Sequence, residues 1–202
     1  MSPLSINRLP KTPASLLQLW IDDAIQAEIV LPTVASLASA QLPSGRVSNR
    51  MVNIKGLNDS GNVLVFSDFN QSRKGKDLHT NSHAALTFYW QKLDRSVRVE
   101  GKIKLMSTKS SEPYFDERDK KFRASVLVGE QSQPVNDRQA LVDRYQELMQ
   151  KKDTELSIPH FWCGAELVPD WFEFYQGSPD RISDRITYTL EEKDWKVQRI
   201  SP

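Results

Sequence analysis

The residues best suited to chemistry in this 202-residue chain are basic side chains set beside small hydroxyls: Arg50 and Lys55 in RMVNIK, and Ser72, Arg73 and Lys74 in SRK. A helix start offers free N–H groups and the positive end of a dipole, and a serine with two cations added there makes a receptor for a phosphomonoester. Arg50 and Lys55 are five residues apart, so a regular strand sends them to opposite faces; at most one points inward unless a bulge intervenes. Taken alone, these motifs also suit an ordinary charged exterior. No Ser-His-Asp or Cys-His arrangement competes with them. His79, His83 and His160 lack Cys or acidic neighbours at zinc-ligand spacing, so no metal site is expected. Cys163, beside Gly164, reads as a small buried hydrophobe.

The elements that must position these residues follow from periodicity. Thr12-Pro13 supplies an N-cap and first-turn proline for a helix, with Leu16, Leu17, Trp20, Ile21, Ala24 and Ile25 as one apolar stripe running to about Ile29. From Pro32 the period becomes two, in TVASLASA, RVSNRMVNIKG and NVLVFSD, separated by turns at 42–45 and at NDSG. A short helix over SRKGKDLHTNS comes next, then strands in AALTFYW and RSVRVEGKIKLM. Two or three helices are expected between Thr108 and Lys152, with Tyr114, Phe115, Leu141, Tyr145 and Leu148 on their apolar faces. Four strand patterns close the chain: HFWCGAELV, WFEFYQGS, RITYTLE and WKVQRI. The fold class is mainly β with peripheral helices, a closed or partly closed antiparallel barrel forming a single domain over residues 1–202. Residues 1–11 are expected to be mobile.

Composition narrows the partners. A net charge of +1 gives no reason to expect nucleic acid, so phosphate recognition must be local. No stretch approaches the roughly 20 apolar residues that span a bilayer. One cysteine and a start without an apolar run point to a reducing, cytoplasmic location, with the nucleus also open.

RMVNIK, VFSDFNQSRKGKDL, DRSVRVEGK, GEQSQPV and WFEFYQGSPDRISDRITY occur in one order, and the ending resembles most specifically the pyridoxamine 5'-phosphate oxidase family. The resemblance runs from the helix near Leu16 to Pro202. It implies a split β-barrel that binds flavin mononucleotide (FMN) at the interface of a homodimer, with residues 171–202 as a dimerisation and flavin motif. Carried over position by position, it assigns Arg50, Lys55, Phe66, Ser67, Ser72, Arg73, Lys74, Gln131, Ser132 and Arg185 to the cofactor, with Gln131 and Ser132 reaching it across the dimer. Ser96 stands where the family usually has glutamine and Tyr175 where it has tryptophan, and both keep a hydrogen-bonding group. Lys55, Tyr114 and Arg118 match the grip on a substrate phosphate, and Arg181 matches the arginine over the substrate ring. Arg181 is therefore the candidate catalytic residue, orienting the substrate and stabilising charge.

Phe122 replaces a serine of the phosphate grip, and Ser183 replaces a histidine at a substrate-binding position. The family's Arg- and Tyr-containing segment over the substrate is abbreviated here, so a lid is not expected. Tyr114 and Ser183 fit packing and turn roles as well. In the oxidase reading, within vitamin B6 metabolism, a hydride passes from the carbon bearing the amine or alcohol to the flavin, with oxygen as final acceptor. Two alternatives stay open: an FMN oxidoreductase acting on another heterocycle, as the phenazine-forming relatives do, and an FMN-binding protein with little catalysis.

Overall fold

The computed structural model describes residues 4–202. The first helix, α1 (Pro13–Gln26), begins where Thr12 accepts from the Ser15 N–H and Pro13 takes the first turn. Leu16, Leu17, Trp20, Ile21 and Ala24 are buried along its stripe. Ile25, assigned to the same stripe by spacing, is 54% exposed. The helix stops short of Ile29 because Glu28 and Leu31 adopt left-handed backbone (φ 54° and 58°), which cannot continue an α-helix.

Among the described residues, eight strands make one antiparallel sheet: β1 (Val34–Gln41), β2 (Arg46–Leu57), β3 (Val63–Asp68), β4 (His83–Trp90), β5 (Arg95–Leu105), β6 (Trp162–Gln176), β7 (Asp184–Glu191) and β8 (Asp194–Arg199). Their order is β3-β2-β1-β4-β5-β6-β7-β8, and β3 also pairs with β6, closing six strands into a barrel. The helices α2 (Arg73–Thr80), α3 (Thr108–Asp116), α4 (Lys120–Leu127) and α5 (Arg138–Gln150) lie around it.

HFWCGAELV and WFEFYQGS, expected as two strands, are one continuous strand of 15 residues. Pro169 cannot donate to the ladder, but the β5 register shifts between Glu100 and Gly101 as β6 passes it. Gly101 permits this contact, since a Cβ there would lie 2.2 Å from the Val168 carbonyl oxygen. The first half of β6 pairs with β3 and the second with β7, while β5 spans both. One strand thus belongs both to the closed barrel and to the extension beyond it.

The barrel interior is filled by Leu37, Leu86, Phe88, Trp90, Val97, Val99, Phe172 and Phe174, all nearly inaccessible, and α1 covers one end with Trp20 edge-on to Phe174 at 5.2 Å. Phe115 on α3 packs with Phe161 and Trp162 in a satellite cluster. The segment from Leu4 is fastened to the sheet: its N–H donates to Asp184, its carbonyl accepts from Arg199, and the Tyr188 hydroxyl donates to Pro10. The rest of the stretch expected to be mobile, residues 1–3, lies outside the described residues.

Candidate active site

The Ser72-Arg73-Lys74 cluster forms where β3 runs into α2. Asp68, at the strand end, accepts the backbone N–H groups of Asn70, Gln71 and Ser72 at 3.0, 2.7 and 3.3 Å, which folds the connecting loop tightly. Ser72 then caps α2 by accepting from the Gly75 N–H. Gly75 is pressed against Phe69; a Cβ would lie 2.2 Å from its carbonyl oxygen. Arg73 stays exposed, whereas Lys74 is 5% exposed and donates to the Ser72 hydroxyl and the Gln131 side-chain oxygen. Burial pushes the Lys74 pKa down to about 8; attraction by Asp68 opposes this, and repulsion from Arg50 adds to it.

Arg50 reaches the same place from β2. It donates to the Leu37 carbonyl (3.1 Å), the Ser39 hydroxyl (2.8 Å) and Ser48. Asp77 on α2 is 4% exposed, accepts from Ser39 and Ser48, and stands 3.7 Å from Arg50. Desolvation lowers the Arg50 pKa despite Asp77.

Lys55 is the extra residue of a β-bulge, since Ile54 pairs with Val65 and Gly56 with Leu64. Arg50 and Lys55 line one cavity of about 790 Å³, together with every residue of β2 between them, from both strand faces. Phe66, Ser67, Ser72, Arg73, Lys74, Tyr114, Arg118, Phe122, Gln131 and Ser132 line it too. Its aromatic wall runs from Tyr114 to Phe66 (centroids 4.5 Å apart) and on to Trp162 (5.4 Å). Lys55 pairs with Glu117 at 3.1 Å, and the Arg118 guanidinium lies 4.4 Å over the Phe122 ring.

The other expected residues form a second group, outside the lining of this cavity. Ser96 on β5 is the register partner of Tyr175 on β6, and Tyr175 that of Arg185 on β7. The Tyr175 and Ser183 hydroxyls are 3.0 Å apart. Arg185 makes a two-pronged pair with Glu173. Arg181 projects from the β6–β7 connection, exposed and in left-handed backbone (φ 65°).

Residues 21–152 match the family model described as pyridoxamine 5'-phosphate oxidase, and residues 162–202 match the pyridoxine 5'-phosphate oxidase C-terminal dimerisation region. The chain belongs to the pyridoxamine 5'-phosphate oxidase family. It is 40% identical over 91% of its length to a pyridoxine/pyridoxamine 5'-phosphate oxidase of Psychromonas ingrahamii, covering 83% of that protein. It is 37% identical over 95% of its length to a probable pyridoxamine 5'-phosphate oxidase of Schizosaccharomyces pombe, covering 86% of it. A crystal structure of PhzG from Burkholderia lata, in complex with tetrahydrophenazine-1-carboxylic acid, superposes with a TM-score of 0.90 at 26% identity, over 97% of this chain and 95% of that one. An FMN-binding, pyridoxamine 5'-phosphate oxidase-related protein of Nostoc punctiforme shares the fold with a TM-score of 0.77 at 17% identity, over 95% and 98% of the two chains.

For a member of the pyridoxamine 5'-phosphate oxidase family, the donors present suit a flavin phosphate. Lys74 is a buried ammonium whose hydrogen-bond partners are neutral oxygens, with Arg73 beside it at a helix start. The cavity also falls in the roughly 300–1,000 Å³ range of cofactor sites. Gln131 and Ser132, expected to reach across a dimer, line the cavity of their own chain. Sequence reasoning did not find Asp77, Glu117 or Trp162. Asp77 has no local signal, because its partners Ser39, Ser48 and Arg50 lie 27 to 38 residues before it. Glu117 has none either, because its partner lies 62 residues away.

Proposed function

We propose that this protein is an FMN-dependent oxidase of the pyridoxamine/pyridoxine 5'-phosphate type, working as a homodimer with two equivalent sites. The observation that carries this reading is one cavity lined by two chemically distinct clusters: Ser72, Arg73 and Lys74, and the Lys55, Tyr114 and Arg118 wall. Bound flavin supplies a two-electron acceptor for a hydride from the substrate. Arg73 and Lys74 hold its phosphate, Arg50 holds the β2 side, and Phe66 with Ser67 borders the ring system. Lys55, Tyr114 and Arg118 grip the substrate's anionic group.

The dimer is supported by where the second group lies. Tyr89, Ser96, Tyr175 and Arg185 follow one another across β4, β5, β6 and β7 on the outer sheet face. Val47, Met51 and Tyr89 are 65, 66 and 64% exposed on that face, and Val47 and Met51 also line the cavity. A second copy covering this apolar face would bring its Tyr175, Arg181, Ser183 and Arg185 toward the cavity of the first. Arg181 would then orient the substrate ring and stabilise developing charge.

A second reading, oxidation of another heterocycle, is favoured by Phe122, whose ring engages Arg118 where a phosphate-gripping serine is expected. The test is an absorption spectrum with added FMN, followed by anaerobic pyridoxamine 5'-phosphate. Bleaching that reverses with oxygen supports the oxidase. Bound flavin that stays oxidised moves the case to the second reading or to a binding role, and no flavin binding overturns both.

A further inference from the structure

Glu117 follows α3 directly, three residues after Tyr114 and next to Arg118. Its carboxylate meets the Lys55 ammonium at 3.1 Å, across 62 residues of chain. Arg118, the other cation of this wall, lies over the Phe122 ring. Both cations that face the substrate end are therefore already engaged, one by a carboxylate and one by an aromatic face. With Glu117 counted, the wall carries one net positive charge. A phosphomonoester carries about −1.5 to −2 at neutral pH, so it must displace Glu117 from Lys55 and then sit beside it. The Lys55 and Glu117 side chains are 37 and 61% exposed, so the pair is loose enough to open. An unphosphorylated ring meets no such repulsion and keeps the stacking wall of Tyr114, Phe66 and Trp162.

We propose that Glu117 is a specificity-determining residue that sets the charge preference of the substrate pocket. It occupies Lys55 as a resident anion, weakens the hold on a dianionic phosphate, and so shifts selectivity toward planar heterocycles of low negative charge. This rests on the reading that Lys55, Tyr114 and Arg118 face the substrate.

The experiment compares equilibrium binding of 4-deoxypyridoxine 5'-phosphate and of 4-deoxypyridoxine, which carry no oxidisable amine or alcohol at the reacting carbon, to the wild-type and Glu117→Gln proteins, by calorimetry. Flavin content is read separately from each sample's visible spectrum. Glu117→Gln is expected to tighten the phosphate ester about tenfold and to leave 4-deoxypyridoxine within about twofold, and 0.5 M salt should shrink the difference. An equal change for both ligands, or none for either, overturns the proposal. Because the affinity ratio does not depend on turnover, a protein that binds flavin poorly would count against the oxidase reading while the ratio still decides the role of Glu117.

Discussion

The ammonium of Lys74 donates to the side-chain oxygen of Gln131, joining the start of α2 to the loop before α5 across 57 residues. The same oxygen accepts from the Ser67 hydroxyl at 3.0 Å, so one amide ties the end of β3 to the start of α2. Both hydrogen-bond partners of Lys74 are neutral, which leaves its charge incompletely compensated until an anion arrives.

That incomplete compensation predicts a pH dependence of flavin affinity. The Lys74 pKa is pushed down to about 8 by burial, and a bound phosphate dianion raises it again. Affinity should be full below pH 8 and fall as pH rises above it, by up to about tenfold per unit. Fluorescence titration of FMN between pH 7 and 9.5 checks this, above the second phosphate pKa of about 6. A flat profile in the wild type, or an unchanged slope in Lys74→Met, contradicts it.

Asp77 should matter to both stability and flavin. Asp77→Ala leaves Arg50, Ser39 and Ser48 without their common acceptor in a mostly buried site. A loss of about 3 kcal/mol is expected from removing one partner of a buried charged network, read as a lower urea midpoint with unchanged slope. FMN affinity should fall together with it, since Arg50 loses its anchor.

Gly75→Ala places a methyl group within 2.2 Å of the Phe69 carbonyl oxygen, where backbone must give way. Although alanine favours helices, the clash dominates, and α2 should shift away from the loop that carries Ser72. Destabilisation of about 1–3 kcal/mol, as for overpacking, and weaker FMN binding are the expected results of thermal melts and titration. Unchanged melting would show that the loop yields freely.

Arg181→Ala should lower kcat/KM about 100-fold and leave FMN affinity within about twofold, because its proposed role is to orient substrate. If the partner copy completes each cavity, mixing Arg181→Ala with Lys74→Met subunits should restore part of the activity. Each mixed dimer then has one cavity free of both changes. No recovery after verified subunit exchange would place Arg181 and Lys74 in the same chain's site.

The local elements were legible because their causes are local. The α1 stripe, the Thr12 cap and the alternation in β1 to β5 are each set by neighbours within a few residues. For the same reason the sequence placed Ser72, Arg73 and Lys74 together at a helix start. Closure of the barrel decided the rest. It set the bulge at Lys55, and the register shift that carries β6 past Pro169 as one strand. It also brought Glu117 to Lys55 and Gln131 to Lys74, pairs 62 and 57 residues apart. Such contacts leave no period in the sequence, because strand pairing and helix packing fix them only when the whole sheet has closed.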